Sequence, residues 1–70
     1  MNNILQKFAR DTLKAGLAQL PSSNQYVFKC MYSFNNLDKD INDVIDTIPA
    51  EKLDWAMTQV QNSLDKLQKN

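Results

Sequence analysis

The side chains best suited to chemistry in this chain are the oxygen-bearing ones that cluster between residues 38 and 46. Asp38, Asp40 and Asn42 place oxygen atoms at the first, third and fifth positions of a possible calcium-binding loop. Such a loop needs glycine at its sixth position and a bidentate glutamate at its twelfth, where this chain has Asp43 and Pro49. The spacing therefore argues against calcium, and we expect no bound metal.

The rest of the composition offers little to a conventional enzyme. The sequence contains no histidine, so it lacks the commonest general base and transition-metal ligand. Its one cysteine, Cys30, cannot build a thiolate zinc site, and its apolar neighbours predict a buried structural thiol. One glycine is too few for a glycine-rich phosphate loop. We therefore expect a protein that is not an enzyme and needs no cofactor.

Charged side chains offer two possible binding surfaces. Asp43 and Asp46 share one face of a predicted helix, which is either a solvated face or a docking surface for a basic partner. Lys7, Arg10 and Lys14 form a basic stripe on the first predicted helix. Because the chain has a net charge of zero, nucleic acid is an unlikely partner. A nucleic-acid-binding accessory protein that uses this stripe stays an alternative.

Aromatic residues offer a third candidate surface, centred on the only tryptophan. The last predicted helix has an apolar stripe at steps of four and three residues, formed by Leu53, Met57, Val60, Leu64 and Leu67. Trp55 points about 200° around the helix from Leu53, on the side of Gln59. It either covers the first or third helix or anchors a protein partner. Tyr26 and Tyr32 are candidates for the same partner surface.

Helical periodicity predicts the elements that position these side chains. The predicted helices span about residues 3 to 20, 22 to 34, 38 to 47 and 49 to 67. Asn2 or Asn3 is expected to cap the first helix, Ser22 with Gln25 the second, and Asp38 or Asp40 the third. The second segment is apolar nearly all round until Asn35 and Asn36, which predicts the most buried helix. Gly16 indicates either a close helix crossing or local fraying.

These patterns predict an all-α fold, a single domain over residues 1–70 with three or four short helices in a bundle. A chain of 70 residues buries only about 60% of its unfolded surface, and such small domains often gain stability by self-association. We expect a homo-oligomer. The sequence shows neither a membrane-spanning stretch nor a secretory leader, so we expect a cytoplasmic protein that does not bind membranes.

Two segments carry a resemblance to a known group of proteins. They are Phe-Lys-Cys-Met-Tyr-Ser at 28–33 and Ile-Pro-Ala-Glu-Lys-Leu-Asp-Trp-Ala-Met-Thr-Gln-Val at 48–60. Both are similar to segments of small uncharacterised helical proteins encoded by tailed phages. The resemblance implies a phage accessory protein in the host cytoplasm. We therefore predict a self-associating, non-catalytic interaction module that binds or inhibits a host enzyme or defence factor, with a virion or assembly component as the alternative.

Overall fold

The computed structural model describes residues 3–32 and 37–69, and four α-helices lie within these ranges. They are α1 (Asn3–Ala18), α2 (Ser22–Tyr32), α3 (Ile41–Asp46) and α4 (Leu53–Lys69), with a 3₁₀ turn at Ala50–Lys52 that leads into α4. The all-α bundle predicted from periodicity is confirmed. The predicted cap Asn2 and the predicted end of the second helix at Phe34, Asn35 and Asn36 lie outside the described residues.

At the junction between α1 and α2, Gln25 has a different role from the one predicted for it. The carbonyl of Pro21 accepts the first backbone hydrogen bonds of α2, so Pro21, and not Ser22, occupies the N-cap position. The Gln25 amide instead donates to the carbonyls of Leu17 at 2.8 Å and Leu20 at 3.2 Å. Gln25 therefore caps the end of α1, and the predicted capping box is wrong.

The short helix α3 lies at the centre of the core despite its weak helix propensity. Asp40 caps it by accepting a hydrogen bond from the backbone N–H of Asn42 at 3.1 Å. Val44 and Ile45 are both 0% exposed. The β-branched side chains that make this helix weak in isolation are therefore the ones that fill the interior. Among the residues that the structure describes, ten apolar ones form this core: Leu13, Leu17, Leu20, Phe28, Val44, Ile45, Ile48, Leu53, Ala56 and Val60.

The prediction that the second helix is the most buried one is wrong. Of the α2 side chains that the structure describes, Phe28 alone is buried. Val27 and Met31 are 52% and 51% exposed, and Cys30 is only partly buried. The cause is the small size of the bundle, because α3 and α4, the helices that α2 chiefly contacts, leave Val27 and Met31 uncovered.

The predicted apolar stripe of the last helix is half correct. Leu53 and Val60 are buried, but Met57 is 36% exposed and Leu67 is 41% exposed. Ala56, at 0% exposure, takes the place expected for Met57. The buried face of α4 consists of Leu53, Ala56 and Val60 because α4 packs against both α1 and α2. The side of α4 that is most buried is therefore the one that points between these two helices.

α1 and α4 pack closely against each other at Gly16. A Cβ atom at this position would lie 2.8 Å from Cγ1 of Val60 and 3.9 Å from Cδ1 of Leu64. The shorter distance is below any normal carbon contact, so the two helices approach this closely only because Gly16 has no side chain. The predicted close crossing is confirmed. Within the described parts of the chain, no helix combines the length and the apolar character that crossing a bilayer requires.

We predict that Gly16→Ala lowers the free energy of unfolding although alanine is the better helix former. The gain in helix propensity is about 1 kcal/mol, whereas overpacking against the stiff, β-branched Val60 costs about 1–3 kcal/mol. Urea denaturation followed by circular dichroism measures the balance. Val60→Ala should cost less in the Gly16→Ala background than in the wild type, because it removes the clash. A more stable Gly16→Ala variant would contradict this account.

Candidate protein-interaction surface

A groove runs between α2 and α4, and we refer to it as the α2–α4 groove. Its volume is about 690 Å³, and the structure lines it with Asn24, Val27, Met31, Gln59, Asn62, Ser63, Asp65, Lys66 and Leu67. Val27 and Met31 are four residues apart on α2, so both side chains point into the groove from the same helix face. The facing side of α4 is mostly neutral and polar. The groove therefore has an exposed apolar wall opposite a wall that can form hydrogen bonds.

A second hollow of about 420 Å³ adjoins this groove. Its lining residues are Met31, Tyr32, Glu51, Lys52 and Trp55. Met31 borders both hollows, which makes them one continuous surface along α2. The half-buried Trp55 forms the wall of the second hollow and also packs on Phe28, with ring centroids 6.0 Å apart and planes tilted by 31°. Trp55 thus covers α2, whereas the sequence predicted contact with the first or third helix.

The structure brings together three of the predicted partner-binding residues. Gln59 borders the α2–α4 groove, and Tyr32 and Trp55 border the adjoining hollow. The Tyr32 hydroxyl donates to the carbonyl of Thr47 at 3.0 Å, which fixes its ring against the end of α3. Tyr26 lines neither hollow and is 52% exposed on another side of α2.

The two predicted acidic residues lie elsewhere, on α3. Asp43 is exposed in the first turn of that helix. A carboxylate oxygen of Asp46 is 2.9 Å from Nζ of Lys14, so Asp46 is already paired within the chain. Val27 and Met31 were not among the predicted partner-binding residues. The signal that could have identified them is the apolar character of the second predicted helix, because so short a chain cannot cover every apolar side of such a helix.

The basic stripe of α1 is occupied by partners within the same chain. Nζ of Lys7 lies 2.9 Å from a carboxylate oxygen of Asp11, and Lys14 pairs with Asp46. The Lys7 hydrogen bond lowers the pKa of the Asp11 carboxyl and raises the pKa of Lys7. Nη1 of Arg10 donates to the carbonyl of Ile45, in the last turn of α3, and to that of Ile48, two residues beyond the end of this helix. The positive charge of this stripe is therefore largely offset.

Among the three basic residues of α1, Arg10 makes the hydrogen bonds that connect this helix to the end of α3. Its Nη1 atom lies 2.8 Å from the carbonyl oxygen of Ile45 and 2.8 Å from that of Ile48. The last carbonyls of a helix have no partner within the helix, and a cation near them also interacts favourably with the helix dipole. Arg10 is partly buried, so water screens these hydrogen bonds less than it screens the exposed pair of Lys7 and Asp11.

We predict that Arg10→Met lowers the free energy of unfolding by about 2 kcal/mol, because it leaves two carbonyls without their charged donor. Arg10→Lys should restore part of the loss. Lys7→Met is the matched control, since it removes an exposed cation from the same helix and should cost much less. Urea denaturation of the three variants measures the differences. Equal stability of Arg10→Met and Lys7→Met would contradict a structural role for Arg10.

We predict that Asp11 titrates below its ordinary pKa of 3.8 because of the Lys7 hydrogen bond. Its small contribution to stability is present above 3.8 and is lost as the pH falls through the lowered pKa. The contribution of Lys7 is present below 10.5 and is lost as the pH rises through its raised pKa. NMR titration should show the Asp11 pKa moving up towards 3.8 in Lys7→Met. An unchanged value would mean that the pair does not persist in solution.

The candidate surface has features that are typical of protein recognition. The α2–α4 groove combines exposed apolar side chains with amides, and two aromatic rings, those of Tyr32 and Trp55, line the adjoining hollow. Among residues 3–32 and 37–69, no three histidine, cysteine, aspartate or glutamate side chains are grouped so that they could hold a metal ion. In comparisons with known proteins, no family model, no curated protein and no solved structure matches this chain.

Proposed function

We propose that this chain is a non-catalytic protein-interaction module that binds a segment of another protein along the α2–α4 groove. The observation that carries the proposal is the exposure of Val27 and Met31, 52% and 51%, over a groove whose opposite wall is polar. Protein interfaces have this anatomy, with an apolar centre and a polar rim. Methionine adapts to different partner shapes, which suits a surface of this kind.

The charges at the groove indicate what sort of segment would bind. Asp65 and Lys66 border it with opposite signs, and the other polar lining residues are neutral. The favoured occupant is therefore an uncharged segment with apolar side chains, in contrast to a strongly acidic or basic peptide. Completing the burial of Val27 and Met31 contributes roughly 1 kcal/mol each, because about half of each side chain is still exposed. Trp55 at the end of the surface is of the residue type most enriched at interface hot spots.

The phage-like segments support a more specific version of this proposal. In that version the module is a viral accessory protein that self-associates and binds or inhibits a host enzyme or defence factor in the host cytoplasm. A virion or assembly component would use the same surfaces, and recovery of the protein from purified particles would favour it. Nucleic-acid binding gains no support from the geometry, because Lys7, Arg10 and Lys14 all have partners within the chain.

We predict that Met31→Glu reduces recovery of a protein partner by about tenfold or more, because it places a charge in the apolar wall of the groove. Affinity capture from a lysate of the candidate host, with quantitative mass spectrometry, measures the loss. Tyr26→Glu is the matched control, since Tyr26 is equally exposed on α2 but lies outside both hollows. Both variants should melt close to the wild type, because exposed positions tolerate substitution.

The result that contradicts the proposal is a partner recovered equally well with Met31→Glu and with the wild type. A photo-crosslinking residue in place of Val27 gives an independent readout and should join the same partner, whereas one in place of Tyr26 should not. Trp55 is a poor first probe. Its ring packs on the buried Phe28, so truncation would lower stability as well as binding.

A further inference from the structure

A second apolar surface lies on the first turns of α1, away from both the core and the α2–α4 groove. We define it as the α1 outer face, formed by Leu5, Phe8 and Thr12. Leu5 is 64% exposed and Phe8 is 62% exposed. Phe8 points about 140° around the helix from the buried Leu13, so the core cannot cover it. The Thr12 hydroxyl donates to the carbonyl of Phe8 at 2.8 Å, which leaves its methyl group to extend the apolar surface.

One edge of this face carries a matched pair of charges. Lys7 and Asp11 lie about 100° and 60° around the helix from Phe8, on the same side, and their charged atoms are 2.9 Å apart. Their side chains are 79% and 56% exposed. When two copies of such a helix lie antiparallel around a two-fold axis, the same edge of each copy meets the other. An axis close to Phe8 would set Lys7 of each copy opposite Asp11 of the other.

We propose that the α1 outer face binds the same face of a second copy, with the two α1 helices antiparallel. Phe8 then packs against Phe8 of the second copy, Leu5 lies beside Thr12, and the Lys7 and Asp11 charges are complementary across the interface. This inference names the surface behind the self-association in the proposed function and rests on that part of it. The α2–α4 groove stays open in the dimer for a different protein.

The charges beside the α1 outer face favour a second copy of this chain as its partner, in preference to a lipid or nucleic-acid surface. Phosphate-rich partners attract a surplus of cations, but this edge carries one positive and one negative side chain, Lys7 and Asp11. Arg10 and Lys14 are bound to acceptors in α3 and just beyond it. The net charge of zero means that two copies do not repel each other strongly. Two or three side chains per copy supply less area than the roughly 1,200 Å² of a stable interface. The dimer is therefore reversible and depends on concentration.

Light scattering over a concentration series tests the apolar part of this interface. The wild-type mass should rise from 8.1 kDa towards twice that value as the concentration approaches the millimolar range. Phe8→Glu should stay at 8.1 kDa over the same range. Met31→Glu is the matched control, which alters an exposed apolar residue outside the α1 outer face and should dimerise like the wild type. Circular dichroism melts confirm that the variants are folded.

A charge exchange between two variants tests the antiparallel arrangement. Lys7→Glu gives the edge of α1 two negative charges, and Asp11→Lys gives it two positive charges. Each variant alone should dimerise about tenfold more weakly than the wild type, because like charges would face each other. An equimolar mixture should form the mixed dimer, which native mass spectrometry separates from both homodimers. Since the Lys7–Asp11 pair is absent inside both variants, opposite charges at these two positions can meet only between copies, in the mixed dimer.

Several results would overturn the inference. They are a wild-type mass of 8.1 kDa at every concentration, dimerisation of Phe8→Glu like the wild type, loss of the dimer in Met31→Glu, and a mixture that dimerises no better than its components. Binding of the wild type to anionic phosphatidylglycerol vesicles that is lost in Phe8→Glu, without a change in mass, would assign the face to lipid. Failure of the dimer leaves the groove proposal testable, because Met31→Glu alters partner capture independently of the α1 outer face.

Discussion

The attachment of α3 to α1 through Arg10 is the constraint on which the rest of this small fold depends. A helix of six residues is too short to be stable alone, and its final carbonyls need donors. Arg10 supplies hydrogen bonds to Ile45 and Ile48, and Lys14 adds an ion pair to Asp46. With α3 held in this way against α1 and α2, its β-branched side chains can fill the interior. Without it the core would lose Val44 and Ile45, two of its fully buried residues.

This use of the basic side chains has a consequence for function. Two of the three cations that would otherwise form an electrostatic surface on α1, Arg10 and Lys14, connect this helix to α3 and the residues after it. The third, Lys7, is paired with Asp11 of the same helix, so α1 presents little unpaired positive charge. A chain of 70 residues has too little interior to cover every apolar side chain that its helices carry. Most of the large uncovered ones lie on two separate faces, one along α2 and one on α1. Recognition by burial of apolar surface is the function that we propose for these two faces.

Local patterns were sufficient to predict the helices, to limit the cap of α3 to Asp38 or Asp40, and to reduce the role of Gly16 to a close helix crossing or local fraying. Each of these depends on neighbouring residues or on one missing side chain. The role of Arg10 could not be predicted, since its acceptors lie 35 and 38 residues away in the chain. The burial of α2 was predicted wrongly for a related reason. When a helix is apolar all round, its periodicity does not say which face meets the core. The exposed wall formed by Val27 and Met31 became visible only once the position of α4 was known.

The way in which α2 is held explains why Trp55 contacts the core on one side and borders the candidate surface on the other. Among the described α2 side chains, Phe28 is buried in the core and Tyr32 packs against it, and Lys29 adds hydrogen bonds to the carbonyls of Leu37 and Lys39. α2 has fewer buried side chains than α1, so less buried surface opposes a small displacement of α2 that would change the width of the groove. Trp55 touches Phe28 on one side and borders the surface on the other. Core residue and interface residue are therefore not alternatives for Trp55, because its ring couples the position of α2 to the shape of the surface that a partner would meet.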